Sequence, residues 1–289
     1  MFELDFDPAS LREWIAAVGM VKLLSATTDS GRMRWLLAGG RYRLEILHAP
    51  NDLADRCASW VRRHRSAWSF GDKDNVNFDA VVWRQHALRA DAIEAALWCA
   101  VASDAVLHRS GDKLQGSGLE YAQGGGHQDW LASMRDFLAG AVSEGDFARI
   151  LSGQRNEAMK GKICRWDPAC ERSHAYRSKA LTKETMTQDQ TINALAAIGF
   201  ASLPSAPASK GLSTPLVAQW SVIRWPVWTE PLRSADLEAR LYCGWDWPTM
   251  EARRWWSGKL ICFSRGEFRE PEVSSDLTVG SRKQKAFRK

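Results

Sequence analysis

Residues 33–47, which read MRWLLAGGRYRLEIL, decide the fold class. Two runs with alternating side chains flank Gly39 and Gly40, and a glycine pair in this position is typical of a tight antiparallel hairpin because glycine adopts positive φ angles easily. Apolar residues recur at helical spacing before the hairpin, up to about residue 25, and again over residues 50–66. A hairpin between helices indicates an α+β protein rather than a doubly wound sheet.

The first helix is expected to begin at Asp7 and Pro8, with Asp7 as its N-cap and Pro8 in its first turn. Gly19 inside this helix indicates close packing against a neighbour rather than a break. Helices are further predicted over residues 89–107, from 127 to 138, and over 146–151, 187–198 and 235–242. Strands are predicted over residues 162–166, 217–223 and 260–263. The resulting fold mixes helices and antiparallel hairpins in two closely packed halves.

Charge and glycine interrupt the apolar pattern near residues 155–162, so the two halves are expected to span residues 1–160 and 161–275. A chain of 289 residues can bury roughly three quarters of its unfolded surface, which allows a sizeable core. Residues 276–289 are predicted to form a disordered basic tail, because apolar residues become rare there while lysine and arginine accumulate.

The net charge of +5 and the pI of about 8.9 favour polyanionic partners without requiring one. The 15 tryptophans are the compositional outlier, and most are expected in the core or in protein interfaces, with a minority against nucleic acid. The six cysteines form no C-x-x-C pair, so no metal site and no cofactor is expected. The acidic N-terminus and the lack of a long apolar run predict a cytoplasmic protein without a membrane span.

Arg165-Trp166-Asp167-Pro168 begins a stretch of thirteen residues that contains three arginines, a histidine and two aromatic rings. This composition predicts an exposed loop rather than a core element, and guanidinium groups beside flat rings suit contact with phosphates and bases. The alternative is a solvated loop whose arginines pair with Asp167 and Glu171. The nucleic-acid contacts predicted in and near this stretch are Lys160, Lys162, Arg165, Trp166, Arg172, His174, Tyr176 and Arg177.

Three other blocks interleave arginines with aromatic rings. The first runs from Trp60 to Phe70, and its Arg62, Arg63 and Arg65 are further predicted nucleic-acid contacts. The other two blocks lie at residues 224–228 and 253–256. The alternative for each block is that the rings face the core while the arginines face water.

Support for catalysis is weaker. Gly124, Gly125 and Gly126 precede a predicted helix and could form an anion nest, beside which His127 could act as a base. The Walker pattern and the G-x-S-x-G nucleophile turn are both missing from the sequence. A phosphoryl-processing enzyme or nuclease that uses His127 therefore stays an alternative, as does a pure protein scaffold.

The order of several short motifs resembles subunits of type I-G (formerly I-U) CRISPR effector complexes. These motifs are the R-W-D-P box, the helix end at residues 193–200 with Leu203-Pro204 after it, and the W-P-V-W run at residues 225–228. The V-G-M-V-K-L-L run at residues 18–24 is similar to the opening helix of that family. Phe200 stands where the family has leucine, and Leu203 where it has phenylalanine.

The resemblance implies a non-catalytic nucleic-acid-binding subunit of an antiviral, RNA-guided surveillance complex, in a large-subunit-like or accessory position. The implied partners are a guide RNA, the target DNA and other effector subunits. In such complexes guide–target pairing reads the sequence, while the protein subunits hold the nucleic-acid backbones. Cleavage would come from a separate helicase-nuclease.

Overall fold

The computed structural model describes residues 1–76, 78–107, 111, 113–121, 129–140, 142–168, 187–208, 211–219, 221–257 and 260–269. Helices and antiparallel sheets follow one another irregularly along these ranges, so the predicted α+β class is confirmed.

The N-terminal sheet forms around the predicted hairpin. Its elements, with the two flanking helices, are β1 (Phe2–Leu4), α1 (Leu11–Thr27), β2 (Arg32–Ala38), β3 (Arg41–Leu47) and α2 (Leu53–His64). The strand order is β1-β3-β2, all antiparallel, and Gly39 and Gly40 turn the hairpin with φ angles of +57° and +76°. The predicted start of α1 is wrong, because Ser10 rather than Asp7 is its N-cap and accepts a hydrogen bond from the Glu13 N–H.

The centre of the fold is the crossing of α1 with α7 (Gln190–Phe200), and every residue of α7 is buried. Gly19 of α1 and Gly199 of α7 meet backbone to backbone at the crossing. A Cβ on Gly19 would lie 2.0 Å from the Leu195 carbonyl oxygen. The close packing predicted for Gly19 is therefore confirmed.

The middle of the chain differs most from the prediction. It contains a 3-10 segment (Arg65–Asp72), α3 (Ala80–Arg89), α4 (Ala92–Val101), β4 (Ala102–Leu107), β5 (Leu114–Gly116), α5 (Trp130–Ala139) and α6 (Glu144–Leu151). The single helix predicted over 89–107 is wrong, because Asp91 caps a new helix and the chain then extends to pair with β5. The short helices near residues 130 and 146 are confirmed.

The C-terminal half contains a five-stranded antiparallel sheet around a central β10. The elements are β6 (Ala206–Ala208), β7 (Gly211–Ser213), β8 (Val217–Gln219), β9 (Val222–Pro226), α8 (Ser234–Cys243), β10 (Thr249–Ser257), β11 (Leu260–Phe263) and β12 (Glu267–Arg269). β10 pairs with β9 on one side and with both β11 and β12 on the other.

Both predicted halves contribute to one core. The Trp35 N–H of β2 donates to the Trp228 carbonyl at 2.9 Å, and the Trp14 indole donates to the Pro226 carbonyl at 2.7 Å. Among the tryptophans whose burial the structure describes, eleven are buried, which confirms that most of the 15 belong to the core. The halves are thus closely packed, and their boundary near residue 160 stays a prediction.

Candidate nucleic-acid interface

The R-W-D-P box is partly a core element. The Trp166 side chain is fully buried, its indole N–H donates to the Leu119 carbonyl at 2.8 Å, and its ring lies 5.8 Å from Tyr121 and 5.7 Å from Phe200. A ring enclosed in this way has no free face for a base, so the predicted contact through Trp166 is wrong. The strand predicted over residues 162–166 is also wrong, since residues 162–164 have no regular secondary structure and residues 165–166 form a turn.

Asp167 is held by a buried arginine that sequence reasoning missed. The Arg12 side chain is 1% exposed, and its Nε lies 3.3 Å from an Asp167 carboxylate oxygen. Its other nitrogens donate to a Glu157 carboxylate oxygen at 2.9 Å and to the side-chain amide oxygen of Asn193 at 3.4 Å. Burial alone would lower the pKa of Arg12, but the charges of Asp167 and Glu157 raise it overall, so the guanidinium stays charged. The sequence did contain a signal for this buried charge, because Arg12 and Glu13 lie side by side in a largely apolar helix.

Gln188 lies after the cation-rich segment in the sequence and, like Arg12, contacts Asp167, which lies before that segment. Its amide nitrogen lies 3.1 Å from both the Cys164 carbonyl and an Asp167 carboxylate oxygen, and its amide oxygen accepts the Cys164 N–H at 2.7 Å. Asn193 adds a 3.3 Å hydrogen bond to the Lys162 carbonyl. The chain therefore leaves this anchor at Pro168 and returns to it at Gln188, next to the exposed Thr187.

Four of the predicted contacts belong to the stretch between these anchored ends. Arg172, His174, Tyr176 and Arg177 lie outside the described residues, as does the basic tail at 276–289. Their positions in the sequence nevertheless place all four between Pro168 and Gln188. The anchor made by Arg12, Asp167 and Gln188 therefore fixes both ends of the segment that carries them.

The remaining predicted cations of this region differ in their surroundings. Lys160 is exposed and Arg165 is half-buried, and neither forms an ion pair with another residue in the described ranges. Lys162 is exposed as well, but its ammonium lies 3.6 Å from Asp129 and 4.0 Å from Asp136. Lys160 and Arg165 thus have more unbalanced charge to offer an anion than Lys162.

In the block from Trp60 to Phe70 the rings face the core and the arginines face water, which is the alternative to nucleic-acid contact. Trp60, Trp68 and Phe70 are buried, whereas Arg62, Arg63 and Arg65 are exposed where α2 ends and the 3-10 segment begins. Cations at the end of a helix interact favourably with its dipole, which gives these arginines a structural role. They can still attract phosphates, but the rings beside them cannot stack on bases.

The other two blocks differ from each other. In the block at 224–228, Trp225 and Trp228 are fully buried, and Arg224 lies 2.7 Å from Glu251. The block at 253–256 is mixed, with Arg254 buried, Arg253 exposed and Trp255 half-buried. Only this last block presents an accessible ring next to an exposed cation.

Nothing in the described ranges supports the enzymatic alternative directly. The residues from Gly124 to His127 lie outside those ranges. Within the described part of the chain, no group of three or more histidine, cysteine or acidic side chains is placed to hold a metal ion. The helices of that part are also too short or too polar to cross a bilayer.

No protein-family model, curated protein or solved structure matches the chain.

Proposed function

We propose that the protein is a non-catalytic nucleic-acid-binding subunit of a CRISPR RNA-guided surveillance complex, in a large-subunit-like or accessory position. The observation that carries the proposal is the buried anchor of Arg12, Asp167 and Gln188, whose residues flank the cation-rich segment in the sequence. The order of the R-W-D-P box, the helix end before Pro204 and the W-P-V-W run supports the assignment to this class of complex.

Burying the charges of Arg12 and Asp167 costs free energy, so their presence calls for a functional explanation. Removing a guanidinium and a carboxylate from water costs several kcal/mol, and a buried pair rarely adds net stability. Fixing both ends of a segment reduces the conformational freedom that it loses when it binds a ligand. An ion pair that holds both ends of the segment with Arg172 and Arg177 is therefore suited to keeping those cations available for phosphates.

Buried and exposed residues have different roles in this proposal. Trp166 holds the segment through the core, while Lys160 and Arg165 add positive charge beside it. Arg62, Arg63 and Arg65 form a second exposed cluster that could follow a nucleic-acid backbone. The partners in this proposal are guide RNA, target DNA and neighbouring effector subunits in the cytoplasm, and base pairing rather than the protein reads the target sequence.

The test is the salt dependence of binding to labelled single- and double-stranded RNA and DNA. The triple variant Arg165→Ala, Arg172→Ala, Arg177→Ala should reduce the slope of log affinity against log salt, by roughly 0.7 on single strands for each phosphate that it no longer neutralises. A control triple variant of Arg41, Arg84 and Arg89 removes the same charge from elsewhere on the surface. Equal slopes for the wild type and the first triple variant, with the fold intact by circular dichroism, would reject the assignment.

A further inference from the structure

The outer face of the C-terminal sheet carries cations and a ring that the function proposed above does not use. Side chains of β10 alternate across the sheet, so that Met250, Ala252 and Arg254 point into the protein and Glu251, Arg253 and Trp255 point outward. The pairing of β10 with β9 and β12 places further cations beside this row. Arg224 is opposite Glu251, and Arg269 is opposite Thr249.

These outward side chains line a groove of about 1080 Å³. Its lining includes Val222, Arg253, Trp255, Ser264, Arg265 and Arg269. Pockets for drug-sized ligands have volumes of roughly 300–1,000 Å³. The groove is therefore large enough for more than one nucleotide.

Most charges in and beside the groove are balanced, and Arg253 carries the positive surplus. Glu267, which also lines the groove, lies 3.7 Å from Arg269. Glu251 is shared by two arginines, at 2.7 Å from Arg224 and 3.3 Å from Arg269, and the hydrogen bond from Arg224 lowers the pKa of Glu251. Arg265 lies 2.6 Å from Asp7. Arg253 is exposed and forms no ion pair within the described residues, so its charge is available to an anion.

The backbone that presents Arg253 and Trp255 is held on both sides. The Arg253 N–H donates to the Ser264 hydroxyl and the Ser264 N–H donates to the Arg253 carbonyl, each at 2.9 Å. The inward guanidinium of Arg254 donates to the Gly118 carbonyl, and the Arg254 N–H donates to the Ser221 carbonyl at 2.9 Å. These bonds hold the backbone of β10 so that Arg253 and Trp255, two residues apart, lie on the same face of the sheet.

We propose that this groove binds a single-stranded nucleic acid, with Arg253 on a phosphate and Trp255 stacked on a base. The proposal deepens the function given above and rests on it. A basic groove with an accessible aromatic ring is the usual arrangement for single strands, because their bases are free to stack. A duplex hides its base faces, and an acidic peptide offers charge but no ring for Trp255.

The test compares Arg253→Ala, Trp255→Ala and Trp255→Phe with the control Arg89→Ala, which removes an exposed arginine outside the groove. The probes are fluorescein-labelled 15-nucleotide oligouridine and oligothymidine, with decaglutamate as competitor. Trp255→Ala should bind roughly 5- to 150-fold more weakly, and Trp255→Phe should recover most of the affinity. Arg253→Ala should reduce the salt slope by about 0.7. Arg89→Ala should bind like the wild type.

Three results would overturn the proposal. If the wild type binds while the Arg253 and Trp255 variants match Arg89→Ala, the groove is not a site, although the general function stands. If the wild type binds neither probe, the proposed function fails and the groove proposal fails with it. If decaglutamate displaces the probe at equal charge concentration and Trp255→Ala has no effect, the groove is an electrostatic surface for acidic proteins.

Discussion

Replacing Gly199 with alanine tests whether the crossing of α1 and α7 determines the fold. The added Cβ would lie 1.9 Å from the Ile15 carbonyl oxygen and 2.7 Å from the Gly19 nitrogen. Cβ contacts below 3.0 Å do not occur in practice, so the two backbones must move apart by at least about 1.1 Å. Rotamer changes cannot relieve the clash, because the opposing atoms belong to backbone.

The magnitude follows from two opposing effects. Alanine gains about 1 kcal/mol over glycine in helix propensity. Against this, overpacking costs about 1–3 kcal/mol or more, and a gap of about 1 Å forfeits up to half of the dispersion energy between the separated surfaces. The surfaces here are fully buried, and side chains such as Ile15 and Leu195 lie on them. We expect a net loss of about 2–4 kcal/mol in the free energy of unfolding, or a Tm lower by roughly 3–7 °C for a chain of 289 residues.

The assay is urea denaturation followed by circular dichroism at 25 °C. Gly145→Ala in α6 is the matched control, because the nearest atom to its added Cβ is the Ser143 hydroxyl oxygen at 3.7 Å. This control should unfold at the same urea concentration or slightly higher. A Gly199→Ala protein within about 0.5 kcal/mol of the wild type would show that the crossing tolerates a Cβ, because a shift of that size is typical of surface substitutions.

Three further predictions concern the anchor and the chemistry. Pro168→Gly should increase the backbone freedom of the residue that follows Asp167, and weaken nucleic-acid binding more than it lowers Tm. A large drop in Tm with unchanged affinity would show that Pro168 has a purely structural role. Burial alone would raise the pKa of Asp189, but its hydrogen bonds with Arg149 and backbone N–H groups lower it below its usual value. A carboxyl group whose pKa is lower in the folded than in the unfolded protein stabilises the folded state at pH values above its unfolded pKa. We therefore expect the contribution of Asp189 to the free energy of unfolding to be lost as pH falls below about 4. The urea midpoint of Asp189→Asn should depend less on pH in that range than the midpoint of the wild type. The purified protein should cleave no labelled DNA or RNA with magnesium, manganese or zinc, and cleavage abolished by His127→Ala would instead establish an enzyme.

Local features of the fold could be predicted because neighbouring residues encode them. The hairpin at residues 33–47 needed only alternation and the turn at Gly39 and Gly40. The packing role of Gly19 followed from a glycine inside an apolar helix. The helix over 89–107 failed because the alanine-rich pattern continues past the new N-cap at Asp91, and because pairing with β5 draws the following residues into a strand.

The site was harder to predict because it depends on contacts between residues distant in sequence. A tryptophan between Arg165 and Asp167 looks exposed until Tyr121 and Phe200 enclose it. Arg12 and Asp167 meet only because α1 and the segment before α7 fold together. The groove around Trp255 likewise forms only when β9 and β12 pair with β10 in the observed registers, and β10 itself was not predicted.

Purification of the protein after expression with the genes of its native operon, followed by sequencing of the bound RNA, tests directly whether it belongs to an RNA-guided complex. We expect a complex with other effector subunits that contains a guide RNA, and less RNA with the Arg165, Arg172 and Arg177 triple variant than with the control triple variant. Recovery of the protein alone and free of RNA, or with RNA of random cellular origin, would rule out a subunit of such a complex.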